Sequence, residues 1–386
     1  MHIATRYLAA LAGVVAAIPL GLLLGLAFTT PITPVGALYL GLSLCAAAGL
    51  VTAPLRRARY RGLTRASLLL VLLLATFRIA WPATSPRVSL TALPSSAGTR
   101  WLNRLFDERD VVLFGERAGR LAGIISPLED QGLVPALAQA YQAMRSAGDT
   151  TLLPFLSTTL GRQRPEAFDT LIFAPSNGAS PRFGVVFLHG FGGNFTMQCW
   201  LVARAARPID GLTLCPSTSW RGDWWTPQGE RTLGETIAYL QRSGIAHIYL
   251  AGISNGGVGV SRLAPKLGSQ VRGLILISGS DPDAASANVP VLLIQGLQDE
   301  RMPAALARQY SQRAGPLGAY YGVSGDHFVL LKQADSIGKI IAGWLSEQEK
   351  SSTRSSRTHR SGATSISPSV RLSAPPANSG RRASEG

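Results

Sequence analysis

In the stretch IYLAGISNGGVGV, residues 248–260, an apolar run ends on a serine set between glycines. The run HIYLAG predicts a strand, GISNG a tight turn, and GVGVSRLAP the start of a helix. A turn this sharp forces Ser254 into a strained backbone conformation, so its near neighbours must lack side chains. Gly252 and Gly256 meet that demand. With 41 glycines in 386 residues the pattern does not decide by itself between a nucleophile and a polar residue in a glycine-rich turn.

A serine hydroxyl is a poor nucleophile until a positioned base removes its proton. Of the five histidines, His2 is terminal, His247 precedes the strand and His359 lies in the tail, which leaves His189 and His327. His327, in YYGVSGDHFVLL, follows a strand-like run and precedes a helical one, so it is the expected base. The imidazole needs a carboxylate to hold its tautomer. Asp299, in VPVLLIQGLQDERMP, comes just after an apolar strand-like run and is the first choice; Asp283, with Asp281 in SGSDPDAAS, is the rival. An oxyanion needs preorganised N–H donors, expected from Phe191 and Asn255. The loop FLHGFGGN supplies the first, with His189, Gly190, Gly192 and Gly193 shaping it.

From residue 168 short apolar runs alternate with helical stretches, which predicts a mostly parallel sheet covered by helices on both faces. DTLIFAP and RFGVVFLHG are expected as neighbouring strands. In such sheets ligands bind beyond the carboxyl ends of the strands, where all the residues above lie. Before this come a Pro/Ser-rich linker at 83–100 and an amphipathic helical lead-in at 101–147 with no visible chemistry. The main domain is expected over 148–348, and the Ser-, Pro- and Arg-rich stretch 349–386 is expected to be a disordered basic tail.

The amino end is different in kind. Residues 7–29 and 35–55 are each long enough to cross roughly 30 Å of hydrocarbon. The run at 67–81 is shorter, with Arg78 able to snorkel and Trp81 suited to the interface. Three transmembrane helices are therefore expected within 1–82, with the lipid bilayer as a partner. Arg56, Arg57, Arg59, Arg61 and Arg65 put the intervening loop in the cytoplasm. The large domain then lies outside, as in a bacterial inner-membrane protein; with two spans it would stay inside.

The net charge of +15 comes mostly from this cluster and the tail, and there is no zinc-knuckle spacing, RNP-like strand or central basic helix. Nucleic-acid binding is not expected. Three cysteines show no metal-ligand spacing; Cys199 and Cys215 form either a bridge or two buried thiols. Trp220, Trp224 and Trp225, in PSTSWRGDWWTPQGE, either wall the substrate cleft or pin a long loop.

Residues about 168–346 resemble the α/β-hydrolases, through HGFGGN, GISNGG and the order Ser, Asp, His. The two loops are similar to those of feruloyl esterases, polyhydroxybutyrate depolymerases and related carboxylesterases. That resemblance implies a Ser254–His327–Asp299 triad, an acyl-enzyme, and no metal or organic cofactor. The membrane-spanning amino end departs from that branch. The expectation is a membrane-anchored serine hydrolase acting on a small-molecule or lipid-like ester. The alternatives are a serine peptidase of the prolyl-oligopeptidase type and a catalytically silent binding module.

Overall fold

Eight short runs form one sheet. They are β1 (Val88–Leu93), β2 (Phe168–Phe173), β3 (Phe183–Leu188), β4 (Gly211–Pro216), β5 (Ile248–Ile253), β6 (Gly273–Ile277), β7 (Val291–Gly296) and β8 (Gly318–Val323), in the order β1-β2-β4-β3-β5-β6-β7-β8. β1 pairs antiparallel with β2 and β2 with β4, and all the remaining pairs are parallel. Every residue of β3, β5, β6 and β7 is buried. Coverage on both faces is why these strands are unbroken apolar runs and not alternating ones. The computed structural model describes residue 8 and residues 11–15, 21, 25, 32–51, 58–81, 85–149 and 152–361.

Two expectations about strands change. The stretch read as a linker, 83–100, carries β1, whose Leu93 is fully buried in the main core. VSLTAL alternates with the period of a half-buried strand, a signal outweighed in the sequence by the Pro and Ser around it. β2 and β3 are not neighbours: β4 lies between them, because the helix after β3 returns the chain on β2's side.

The helices, in chain order, begin with α1 (Pro34–Val51) and α2 (Ala58–Ala80), followed by α3 (Glu108–Leu121), α4 (Pro127–Asp130), α5 (Leu133–Ser146) and α6 (Phe155–Thr159). After these come α7 (Thr196–Ala206), α8 (Pro227–Arg242), α9 (Asn255–Leu267), α10 (Ala304–Ala314), α11 (Val329–Lys332) and α12 (Ala334–Ser361). The chain divides into Met1–Trp344 and Leu345–Gly386. In the second unit the residues from 345 to 361 are helical, where disorder was expected from 349. No glycine or proline interrupts 349–361; the rest of the tail lies outside the described residues.

α1 and the Gly62–Ala80 part of α2 are long and apolar enough to cross a membrane. The two helices approach closely: a Cβ at Gly49 would stand 1.8 Å from the Thr64 Oγ1, the small-residue contact that lets apolar helices pack. At the other end of this hairpin the Asp110 carboxylate accepts from the Thr33 N–H (2.8 Å) and hydroxyl (2.6 Å), and Arg104 Nη1 donates to the Ile79 carbonyl at 2.8 Å. Most of the expected first span, 7–29, lies outside the described residues.

The lead-in is fastened to the sheet domain by Glu108. Its buried carboxylate accepts from the Thr196 and Met197 N–H groups at 2.7 and 2.8 Å and from the Tyr141 hydroxyl at 3.0 Å. These amides open α7 and have no partner within the helix. Burial pushes Glu108 up to about 7 against these bonds. A raised carboxyl costs the fold nothing while it is protonated in both states, and that cost grows as pH climbs from about 4.5 to about 7. Glu108→Gln gives up one acceptor at every pH but has no such slope. Its deficit in unfolding free energy relative to the parent should be largest near pH 5 and shrink by up to about 3 kcal/mol toward pH 8. Thermal unfolding of both proteins across that range measures it.

Candidate active site

The crossovers that leave β3 and β5 run to opposite sides, so the crevice beyond their carboxyl ends is the switch point where such sheets bind ligands. Ser254 sits there, directly after β5 and at the head of α9, with φ 53° and ψ −124°. A non-glycine residue at positive φ is strained and persists only where its surroundings enforce it. The enforcement is tight packing: a Cβ at Gly256 would lie 1.9 Å from the Leu188 carbonyl oxygen, and one at Gly252 would lie 2.4 Å from the Gly256 backbone. The elbow therefore requires both glycines the motif supplied.

His327 follows β8, and its Nδ1 meets Asp299 Oδ2 at 2.9 Å. A carboxylate only accepts, so Nδ1 carries the proton and Nε2 is left with its lone pair. Asp299 is held on both oxygens. Oδ2 also accepts from Gln295 Nε2 at 2.9 Å, and Oδ1 accepts from the N–H groups of Arg301 at 3.0 Å and Met302 at 2.9 Å. The rival acids lie elsewhere. Asp281 pairs with Arg262, and Asp283 is exposed and 3.6 Å from Arg313.

Ser254 and His327 both open onto one cavity of about 560 Å³. Among the described residues no hydrogen bond joins the Ser254 hydroxyl to the imidazole, and the N–H groups of Phe191 and Asn255 meet no acceptor. Asn255 is the first residue of α9, where an unmet donor is the rule. Its side chain donates to the Arg221 carbonyl at 2.9 Å.

His189 is fully buried. Its Nδ1 donates to the Gly190 carbonyl at 2.8 Å and its Nε2 accepts from the Thr218 N–H at 3.3 Å. Burial pushes its pKa down to about 4, so the ring is neutral near pH 7 and both nitrogens are spent on the loop. The cavity wall includes Gly190, Phe191 and Gly192 of this loop; Gly193, at φ 103°, lies behind them.

Of the three tryptophans, only Trp220 reaches the cavity, packed against Phe191 with ring centroids 4.6 Å apart. Trp224 is fully buried beneath α9 and donates to the His189 carbonyl at 2.9 Å. Trp225 lies under the Arg262 guanidinium at 4.9 Å. These two pin the segment instead of walling the cleft: Trp224 fills the core against α9, where a Cβ at Gly259 would lie 2.5 Å from the Trp224 Cβ, and Trp225 meets the Arg262 side chain of the same helix.

The lead-in, in which the sequence disclosed no chemistry, covers the cleft: its α3 and α5 contribute wall residues, and α6, just beyond it, adds Phe155 and Thr159. Arg301 ties it to the acid loop. The Arg301 N–H holds Asp299, while its guanidinium pairs with both Glu129 oxygens, through Nε and through Nη2 at 2.8 Å. No local motif marks this pair, since its members are far apart in sequence.

Strand order, the serine at positive φ and the loop after β3 define an α/β-hydrolase fold. The chain matches no protein-family model and no curated protein. It is similar in fold to Est1E from Butyrivibrio proteoclasticus, at 16% identity and TM-score 0.42 over 48% of this chain and 95% of that one. An α/β serine hydrolase homologue from Coxiella burnetii is 18% identical, with TM-score 0.40 over 46% of this chain and 92% of that one. The esterase domain of a Rhodothermus marinus protein is 16% identical, with TM-score 0.39 over 46% and 92%.

Proposed function

We propose that this protein is a membrane-anchored serine hydrolase that cleaves carboxylic esters on the outer side of the membrane. The observation that carries the reading is a His327–Asp299 pair and a positive-φ serine opening onto one cavity. In this account Ser254 Oγ attacks the ester carbonyl while His327 Nε2 takes its proton, and Asp299 stabilises the resulting imidazolium. The developing oxyanion is met by the Phe191 and Asn255 N–H groups. Return of the proton to the alkoxide expels the alcohol and leaves Ser254 acylated. A water, deprotonated by the same nitrogen, then releases the acid and restores the serine.

Two features support an extracytoplasmic placement. The hydrolase fold meets the α1–α2 hairpin at its Thr33 and Ile79 end, whereas in the sequence Arg56, Arg57, Arg59, Arg61 and Arg65 fall where the chain passes from α1 to α2. The shorter arm, α1 with 18 residues, is roughly 27 Å long, enough to put the two on opposite faces of a bilayer. Positive charge stays in the cytoplasm. Cys199 and Cys215 are joined as a disulfide with Cα atoms 6.1 Å apart, a bond that persists in oxidising compartments.

The detergent-solubilised protein should hydrolyse p-nitrophenyl acetate. Alkaline phosphatase fused to the carboxyl terminus should be active in cells; an inactive fusion, with full-length protein present, would place the domain in the cytoplasm.

A further inference from the structure

The cavity beside Ser254 is far larger than a short acyl group requires. A water's share of liquid is about 30 Å³, whereas the cavity measures about 560 Å³. Its roof is the part of α3 carrying Val111 and Val112 together with Leu133 and Leu137 of α5, and Leu201 and Leu331 also line it. Apart from Ser254 and His327 the polar lining is Glu116, Thr159, Gln198 and Arg301, and the rest of the wall is apolar. Arg301 is tied to Glu129 and Glu116 lies 3.5 Å from Arg117, while the Glu116 oxygens and Gln198 Oε1 have no hydrogen-bond partner among the described residues. The rim is apolar as well: Phe191 is 56% exposed, Trp220 45% and Ile124 59%, and all three line the opening.

From this geometry, and resting on the serine-hydrolase reading above, we propose that the substrate is an ester of a long, unbranched acyl chain. The chain lies under α3 and α5, with its carbonyl at Ser254. Methylenes have no hydrogen bonds to lose on entering such a wall, whereas a sugar or a peptide would strand its polar groups there. The roof is also joined to the membrane hairpin, because Asp110, which holds Thr33 at the head of α1, directly precedes Val111. A chain leaving a bilayer and one dispersed in water would use the same space.

The test is a series of p-nitrophenyl esters from acetate through butyrate and octanoate to dodecanoate, on the full chain in detergent. Each buried methylene is worth up to about fourfold in kcat/KM. The octanoate should therefore exceed the acetate by at least about a hundredfold. Gly115 lies on the roof face, with open space where a Cβ would point, and phenylalanine is a better helix former than glycine. Gly115→Phe should shift the preference toward short chains, lowering the octanoate-to-acetate ratio at least about tenfold. Turnover of acetate with a flat or falling series in the parent protein would overturn the inference and leave the hydrolase reading standing. An unchanged ratio in a folded Gly115→Phe would also overturn it. If no ester is turned over, the hydrolase reading fails and takes the inference with it. With the protein reconstituted into phosphatidylglycerol vesicles containing dioleoylglycerol, release of oleate upholds the inference with the bilayer as source. Turnover confined to dispersed octanoate upholds it with the aqueous phase as source.

Discussion

Ser254→Ala is expected to reduce ester hydrolysis by roughly four to six orders of magnitude while leaving the fold intact. The size follows from the proposed role: without the hydroxyl there is no acyl-enzyme, and what remains is water attack helped only by the oxyanion donors and the cavity. The fold should survive because the constraints at the elbow come from Gly252, Gly256 and the Leu188 carbonyl, none of which touches the hydroxyl. Removing Oγ also leaves the φ of 53° in place, so the strain is neither added to nor relieved. The measurement is kcat for p-nitrophenyl acetate beside a thermal unfolding curve. A loss of less than about tenfold in a folded variant would remove Ser254 from the nucleophile's role.

The second large effect belongs to the acid. Asp299→Asn should lower kcat by about four orders of magnitude, because the amide presents either an N–H or a weaker acceptor to His327 Nδ1 and no longer fixes the proton there. The Gln295 amide would also face it as a donor, now without a charge to answer. Asp283→Asn should stay within about twofold of the parent, since Asp283 is exposed and its neighbour is Arg313. The two variants assayed in parallel discriminate between the acids, and the reverse pattern would move the role to the loop after β6.

The sheet was legible where burial on both faces leaves an unmistakable apolar run, as in β3, β5, β6 and β7. It was obscure at β1, whose alternation of Val88, Ser89, Leu90 and Thr91 lies among turn residues. Strand neighbours were harder still. Nothing local in FDTLIF records that β4 will lie between it and β3, because that depends on the path of α7 across the sheet. The hydrogen bond between His327 and Asp299 follows a logic the sequence carries, with each residue ending or following its own strand. The roof over the cavity did not follow it. Val111, Val112, Leu133 and Leu137 look like any helical core face, and only the tertiary fold turns them toward Ser254. The sequence left the tryptophans between two roles, because three aromatics within one short segment do not record which way each will pack; packing beneath α9 claims Trp224, and of the three Trp220 alone lines the cavity.

The most direct test is to treat the purified full-length chain with a fluorophosphonate and locate the adduct by peptide mass spectrometry. The account predicts one stoichiometric adduct on Ser254, formed in parallel with loss of ester hydrolysis and nearly absent in His327→Ala. A protein that hydrolyses esters yet carries its adduct on another residue, or none at all, would contradict it.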